Sequence, residues 1–140
     1  MRPIVIDPSA AAAWVMPDEK SDAAHDLYAL ACAEEGLFHA PHLWTWEIGN
    51  LLVMGQLRKR IHAETLGHAL DVLRAAKINL DGAPNAHRQG QIARLAITHG
   101  LTFYDAAYLE LVLRLNGQLA SSNKKLLSAA KACGIVCLTF

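Results

Sequence analysis

Three carboxylates and one amide are the side chains of this 140-residue chain whose setting could do chemistry: Asp7, Glu47, Asp105 and Asn123. Asp7 directly follows the β-branched run Ile4-Val5-Ile6 and precedes Pro8. Asp105 stands near the start of a stretch, 101–113, that is apolar on nearly every side. A helix of that kind lies deep in a domain, and buried carboxylates are costly unless paired or bound to a cation. Asp7, Asp105 and Asn123 each have a plainer reading as helix caps, whose side-chain oxygens accept from free backbone N–H groups. Glu47 does not. It sits inside a helix-like stretch, 42–57, where Leu43, Asn50, Leu51 and Met54 share its face. Asn50 is the only polar neighbour there, so Glu47 needs a partner. Three acids on separate helices could make a hard oxygen site for Mg²⁺ or Mn²⁺, cations that take carboxylates and keep several waters. Such a cation activates water and neutralises charge developing on a phosphate.

The elements that would position these residues follow from the apolar pattern. Short apolar runs at 3–6, 37–40, 78–80, 118–120 and 135–138 predict strands. Between them, helices are predicted over 9–15, 21–35, 42–57, 63–76, 86–99, from about 101 to 116, and 121–133. Gly36, Gly100 and Gly134 are read as helix stops. Alternation of this kind argues for a single α/β domain over 1–140, with a mostly parallel sheet and right-handed crossovers. Ligands of such sheets bind beyond the C-terminal strand ends, where the strand order switches direction. Asp7 follows the first strand directly, and Ser121 to Asn123 follow the fourth.

Composition narrows the classes. A 53% hydrophobic and 19% charged chain is not disordered. Its formal net charge of zero gives no global field for nucleic acid, so any RNA surface must be a local patch. Lys124 and Lys125, next to Asn123, could hold phosphates or be an ordinary solvated pair. Arg58-Lys59-Arg60 suits a helix C-terminus, and the seven histidines show no metal-ligand spacing. Cys32, Cys133 and Cys137 are odd in number and lack paired spacing, which fits buried thiols in a reducing cytosol. With no apolar run long enough to cross a bilayer and no signal peptide in view, the expectation is a soluble cytoplasmic protein without membrane contact. Trp14, Trp44 and Trp46 are expected in the core or at a dimer contact rather than as base-stacking platforms.

Ile4-Val5-Ile6-Asp7-Pro8-Ser9-Ala10 resembles the opening strand and first acid of PIN domains. The stretch Pro41-His42-Leu43-Trp44-Thr45-Trp46-Glu47-Ile48-Gly49-Asn50 resembles that family's second acid with its following Asn, and Leu101-Thr102-Phe103-Tyr104-Asp105-Ala106-Ala107-Tyr108-Leu109 is close to its third. The resemblance spans essentially the whole chain and is closest to the VapC toxins of toxin–antitoxin pairs. It implies a three-layer α/β/α sandwich with a mostly parallel sheet of about five strands. It also implies endoribonuclease activity dependent on Mg²⁺ or Mn²⁺, a homodimer, and an antitoxin that covers the acidic groove. On that resemblance Asp7, Glu47 and Asp105 hold metal directly or through water, with Ser9 and Asn50 orienting carboxylates or waters. Ser121 matches a hydroxyl near the family's fourth acid. The departure is Asn123, where the family usually carries Asp: an amide oxygen can ligate but brings no charge. A non-catalytic member that binds RNA or a partner is therefore the alternative. A phosphoacceptor on a similar sheet is a third reading, opposed by Ser9 standing where a second acid would be needed.

Overall fold

The computed structural model describes residues 1–140. Its centre is β1 (Ile4–Ile6), three consecutive residues that are all buried, as a strand covered on both faces requires. Four more strands join it: β2 (Phe38–Ala40), β3 (Ile78–Leu80), β4 (Gln118–Ala120) and β5 (Cys137–Leu138). All pairings are parallel, in the order β3-β2-β1-β4-β5. Helices cover both faces, and the three-layer α/β/α sandwich expected from the sequence is the fold observed. The chain builds outward from β1 through β2 to β3, then returns to β1's other edge with β4. The switch point therefore lies between β1 and β4, where Ile6 pairs with Ala120 and the Asp7 N–H donates to the Ala120 carbonyl at 3.1 Å.

Seven helices fill the connections. α1 (Pro8–Val15) starts with Pro at its first position, and Ala10 to Ala13 are all buried, small enough to lie close against their neighbours. α2 (Asp22–Ala33) is capped by Ser21 and stops short of the expected 35, because Glu34 is already extended. Gly36, with φ of 77°, serves the turn into β2 rather than the helix end. α3 (Trp44–Leu57) carries Glu47. α4 (Leu66–Ala75) begins three residues later than expected, after a single 3₁₀ turn at Ala63–Thr65. α5 (Ala86–His99) and α6 (Phe103–Leu115) pack against one another, and α7 (Lys124–Ala132) follows β4. Gly117 is required where it stands: a Cβ there would come within 2.6 Å of the Pro3 carbonyl oxygen, beside the Gln118 N–H to Pro3 bond that docks β4.

The apolar reading of α6 holds for Ala106 to Val112, with one exception. Glu110 is buried at 5% exposure in the middle of that face. It accepts from Arg114 at 2.8 Å and lies 3.7 Å from the Arg88 guanidinium, and both arginines also reach Asp81, at 2.7 Å for Arg88 and 2.5 Å for Arg114. This four-residue network ties α6 to α5 and to the turn after β3. A separate pair of contacts holds Arg60 to Asp18 and Glu19, so the end of the Arg58-Lys59-Arg60 run is anchored to the 3₁₀ turn Pro17–Glu19. No helix is long and apolar enough to cross a membrane.

Candidate active site

Asp7 caps α1 and is also a buried carboxylate at the sheet's switch point, so its two sequence readings coincide. Its Oδ1 accepts from the Ser9 hydroxyl at 2.5 Å and more weakly from the Ala10 N–H at 3.4 Å. Its Oδ2 accepts from the Ser121 hydroxyl at 3.0 Å. Only 3% of the residue is exposed. Burial pushes the Asp7 carboxyl above the ordinary carboxylate range, the two serines and Ala10 partly oppose this, and the charge of Asp105 adds to it.

Asp105 is not a cap. Thr102 takes that role, accepting from the Asp105 N–H at 3.1 Å, and leaves the Asp105 carboxylate free to point elsewhere. Its Oδ2 accepts from Asn123 Nδ2 at 3.2 Å. Asn123 in turn caps α7: its Oδ1 accepts from the Leu126 N–H at 3.2 Å, and its own N–H donates to Ser121 Oγ at 3.0 Å. Asp7, Ser121, Asn123 and Asp105 thus form one hydrogen-bonded chain across the ends of β1 and β4 and the start of α6. At position 123 the group turned toward Asp105 is an N–H donor, while the amide oxygen faces the helix.

Glu47 is half-buried, and its partner is not the Asn50 expected from its helix face. Tyr108, one turn along α6 from Asp105, donates to Glu47 Oε1 at 2.6 Å. Asn50 is exposed and shares an open cleft with Glu47 without bonding to it. Burial raises the Glu47 carboxyl, the Tyr108 bond opposes this, and the charges of Asp105 and Asp7 raise it again. Burial and the Glu47 bond push the Tyr108 phenol far up, so it stays a donor at every ordinary pH. Tyr108 was legible only as one hydroxyl on an apolar helix; nothing local in the sequence ties it to a residue so far back in the chain.

The three acids therefore arrive from β1, α3 and α6 and feel one another's charge. Their partners are Ser9, Ser121, Tyr108, Asn123 and a backbone N–H, all neutral, and no Lys, Arg or His pairs with any of them. Hard oxygens under mutual repulsion, without a counter-charge from the protein, fit a divalent cation. No three His, Cys, Asp or Glu side chains stand close enough together to hold a metal ion among themselves. Lys124 and Lys125 are exposed beside this cluster, at the first turn of α7.

Tyr108→Phe tests the hydrogen bonding around Glu47. Groups that orient metal-ligating carboxylates typically matter by roughly 10- to 100-fold in metal affinity or activity. The expected result is a loss in that range in divalent-ion affinity, read by titrating Mn²⁺ against thermal stability; an unchanged titration would assign the phenol to packing alone.

No family model matches the chain. It is 30% identical over 131 residues to Ribonuclease VapC3 of Pyrobaculum aerophilum, covering 88% of this chain and 91% of that protein. Among solved structures it is similar to PAE2754 of Pyrobaculum aerophilum, with a TM-score of 0.70 and 26% identity over 97% of this chain and 83% of that one. Two more distant structures share the fold. VapC20 of Mycobacterium tuberculosis, a sarcin-ricin loop cleaving toxin, has a TM-score of 0.64 at 16% identity, over 95% of this chain and 96% of that one. FitAcB of Neisseria gonorrhoeae has a TM-score of 0.64 at 14% identity, over 96% of each chain. A sequence relative spanning nearly the whole chain, and acids from three elements meeting at the switch point, lead to one assignment: the chain belongs to the VapC-type PIN-domain family.

Proposed function

We propose that this chain is a metal-dependent endoribonuclease, the toxin of a VapBC-type toxin–antitoxin pair, hydrolysing RNA phosphodiester bonds with Mg²⁺ or Mn²⁺. The observation that carries the reading is the convergence of Asp7, Glu47 and Asp105, each within reach of the others' charge and none neutralised by a basic side chain. These three would hold the cation, directly or through water. When bound, a divalent cation supplies an acidified water and Lewis-acid stabilisation of charge on the phosphate. The protein's part is positional. Ser9 and Ser121 fix both oxygens of Asp7, Tyr108 fixes Glu47, and Asn123 fixes Asp105. Lys124 and Lys125 are placed to hold backbone phosphates of the RNA beside the acids. A VapB-like antitoxin and a second copy of the chain are the partners that go with this reading.

Cleavage of a mixed RNA pool tests it, run with Mg²⁺ or Mn²⁺ and with EDTA, beside Asp105→Ala prepared identically. The expectation is metal-dependent cleavage that the variant loses. Equal cleavage by both proteins would mark a contaminant and remove the support for an enzyme.

A second reading, a weakened or non-catalytic RNA- or partner-binding member, draws on Asn123: its amide already satisfies one oxygen of Asp105. Asn123→Asp decides between them. Without metal the new carboxylate loses that donor bond and repels Asp105, so thermal stability falls. With Mn²⁺ the added charge tightens binding, and cleavage rises. A variant that loses stability without gaining metal affinity would favour the second reading.

A further inference from the structure

The three thiols, expected from the sequence to be buried, are all half-buried and free. Their neighbours differ. Cys32 lies one turn after Tyr28 on α2, where burial, and then Cys32, push the Tyr28 phenol up to about 12. Cys137 donates its S–H to the Ile135 carbonyl at 3.6 Å, and burial pushes its thiol up against the pull of Lys131. Cys133 alone meets a base: its Sγ lies 3.6 Å from His99 Nε2. An imidazole with its proton on Nδ1 accepts the S–H there.

Two helix ends bring the pair together. His99 is the last residue of α5, and Cys133 closes α7, its N–H donating to the Ala129 and Ala130 carbonyls. Each is followed by a glycine of positive φ, Gly100 at 65° and Gly134 at 76°, so the chain turns away just past the pair. Beyond their immediate chain neighbours, nothing lies within 4 Å of where a Cβ at either glycine would stand, so the surroundings of the pair are open. Both helices present their carbonyl ends here, which suit a cation and not a lone anion. A thiolate made by proton transfer to His99 comes with its own cation. The thiolate, not the thiol, is the nucleophile of sulfur chemistry, and an adjacent imidazole that takes the proton is one way of forming it. Asn123 stands at the other end of α7, about 15 Å away at the helical rise.

We infer that Cys133, with His99 as its proton acceptor, is a site of thiol–disulfide exchange with small disulfides. The S–H proton passes to His99 Nε2 as the Cys133 sulfur attacks one sulfur of the reagent. A new S–S bond forms, the old one breaks, and the leaving thiolate takes the proton from the imidazolium. The protein is left as a mixed disulfide, and one small thiol is released. Neither the acids nor RNA takes part, so the inference stands apart from the ribonuclease reading.

The test incubates the full chain with oxidised glutathione, in EDTA at neutral pH, and follows each cysteine by peptide mass spectrometry. An ordinary thiol is a few per cent ionised at neutral pH, so complete proton transfer adds at most roughly 30-fold in rate. The lower nucleophilicity of a stabilised thiolate brings the expected advantage of Cys133 over Cys32 and Cys137 to about 10-fold. His99→Gln keeps a polar side chain of similar size that takes no proton, and should remove that advantage. His99→Ala opens the space beside the sulfur yet should slow exchange as well, and added imidazole should restore part of the rate. Cys133→Ser should lose the fast phase and leave Cys32 and Cys137 reacting as before. The wild-type comparison holds whatever the variants do to folding. Wild-type protein whose three cysteines react alike would overturn the inference. So would a His99→Ala variant that reacts faster than wild type, because the imidazole would then only cover the sulfur.

Discussion

Asp7→Asn should cut RNA cleavage by roughly 1,000-fold and, in metal-free protein at neutral pH, raise the melting temperature. The two effects have one cause. Asp7 is buried, and its carboxyl is held above the ordinary range first by burial and further by Asp105. A raised carboxyl means that the folded protein binds the proton more tightly than the unfolded chain does. Stability therefore falls as pH rises from the ordinary Asp value of 3.8 through the raised one, and above that the full cost of an ionised Asp7 is present. Asn keeps the shape and an acceptor for Ser9 while removing the charge. The variant should melt higher than wild type at neutral pH, and the gap should close on acidification. Activity moves the other way. Loss of the several kcal/mol that a bound cation supplies predicts a fall of roughly 1,000-fold. Saturating Mn²⁺ should stabilise wild type by about 2.7 kcal/mol at a hundred times its dissociation constant, and Asp7→Asn by far less. Calorimetry across pH, with and without Mn²⁺, checks both halves; a variant that is less stable than wild type at neutral pH would contradict the electrostatic account of the site.

Glu110→Ala should be strongly destabilising although it lies outside the candidate site. Removing one partner of a buried ion pair leaves the other charge uncompensated, at about 3 to 5 kcal/mol. Here Arg88 and Arg114 keep Asp81 and some solvent, so a loss of about 3 kcal/mol is expected, or roughly 10 °C in Tm for a chain of this size. Arg88 Nε already lacks a hydrogen-bond acceptor in its buried position, and without Glu110 it loses a carboxylate 3.7 Å away as well. Denaturant melts measure the loss. A change below about 1 kcal/mol, the value typical of surface pairs, would show that the network is not a clamp between α5 and α6.

The acids were legible in the sequence because their local grammar is strong. A β-branched run stopped by Asp-Pro can only end a strand and open a helix, which places Asp7 at a strand's C-terminal end. The alternation of apolar runs was enough for a parallel sheet, and so for the edge where a site forms. What failed was everything set by neighbours distant in sequence. Asp105 reads as a cap until Thr102, three residues earlier, is seen to take the N–H groups. Glu47 visibly needed a partner, but the phenol that serves it comes from another helix. α3 is apolar nearly all round, so its pattern carries no phase, and Trp46 could not be told from Trp44; only packing against the sheet exposes one and buries the other. Glu110 vanished into an apolar stretch for the same reason.

The central claim is that Asp7, Glu47 and Asp105 share one divalent cation. A crystal grown with Mn²⁺, with its anomalous scattering mapped, tests it most directly. The account predicts one strong peak among these three carboxylates, lost in Asp7→Asn. Saturating Mn²⁺ with no peak there, or a peak bound elsewhere while RNA is still cleaved, would contradict it.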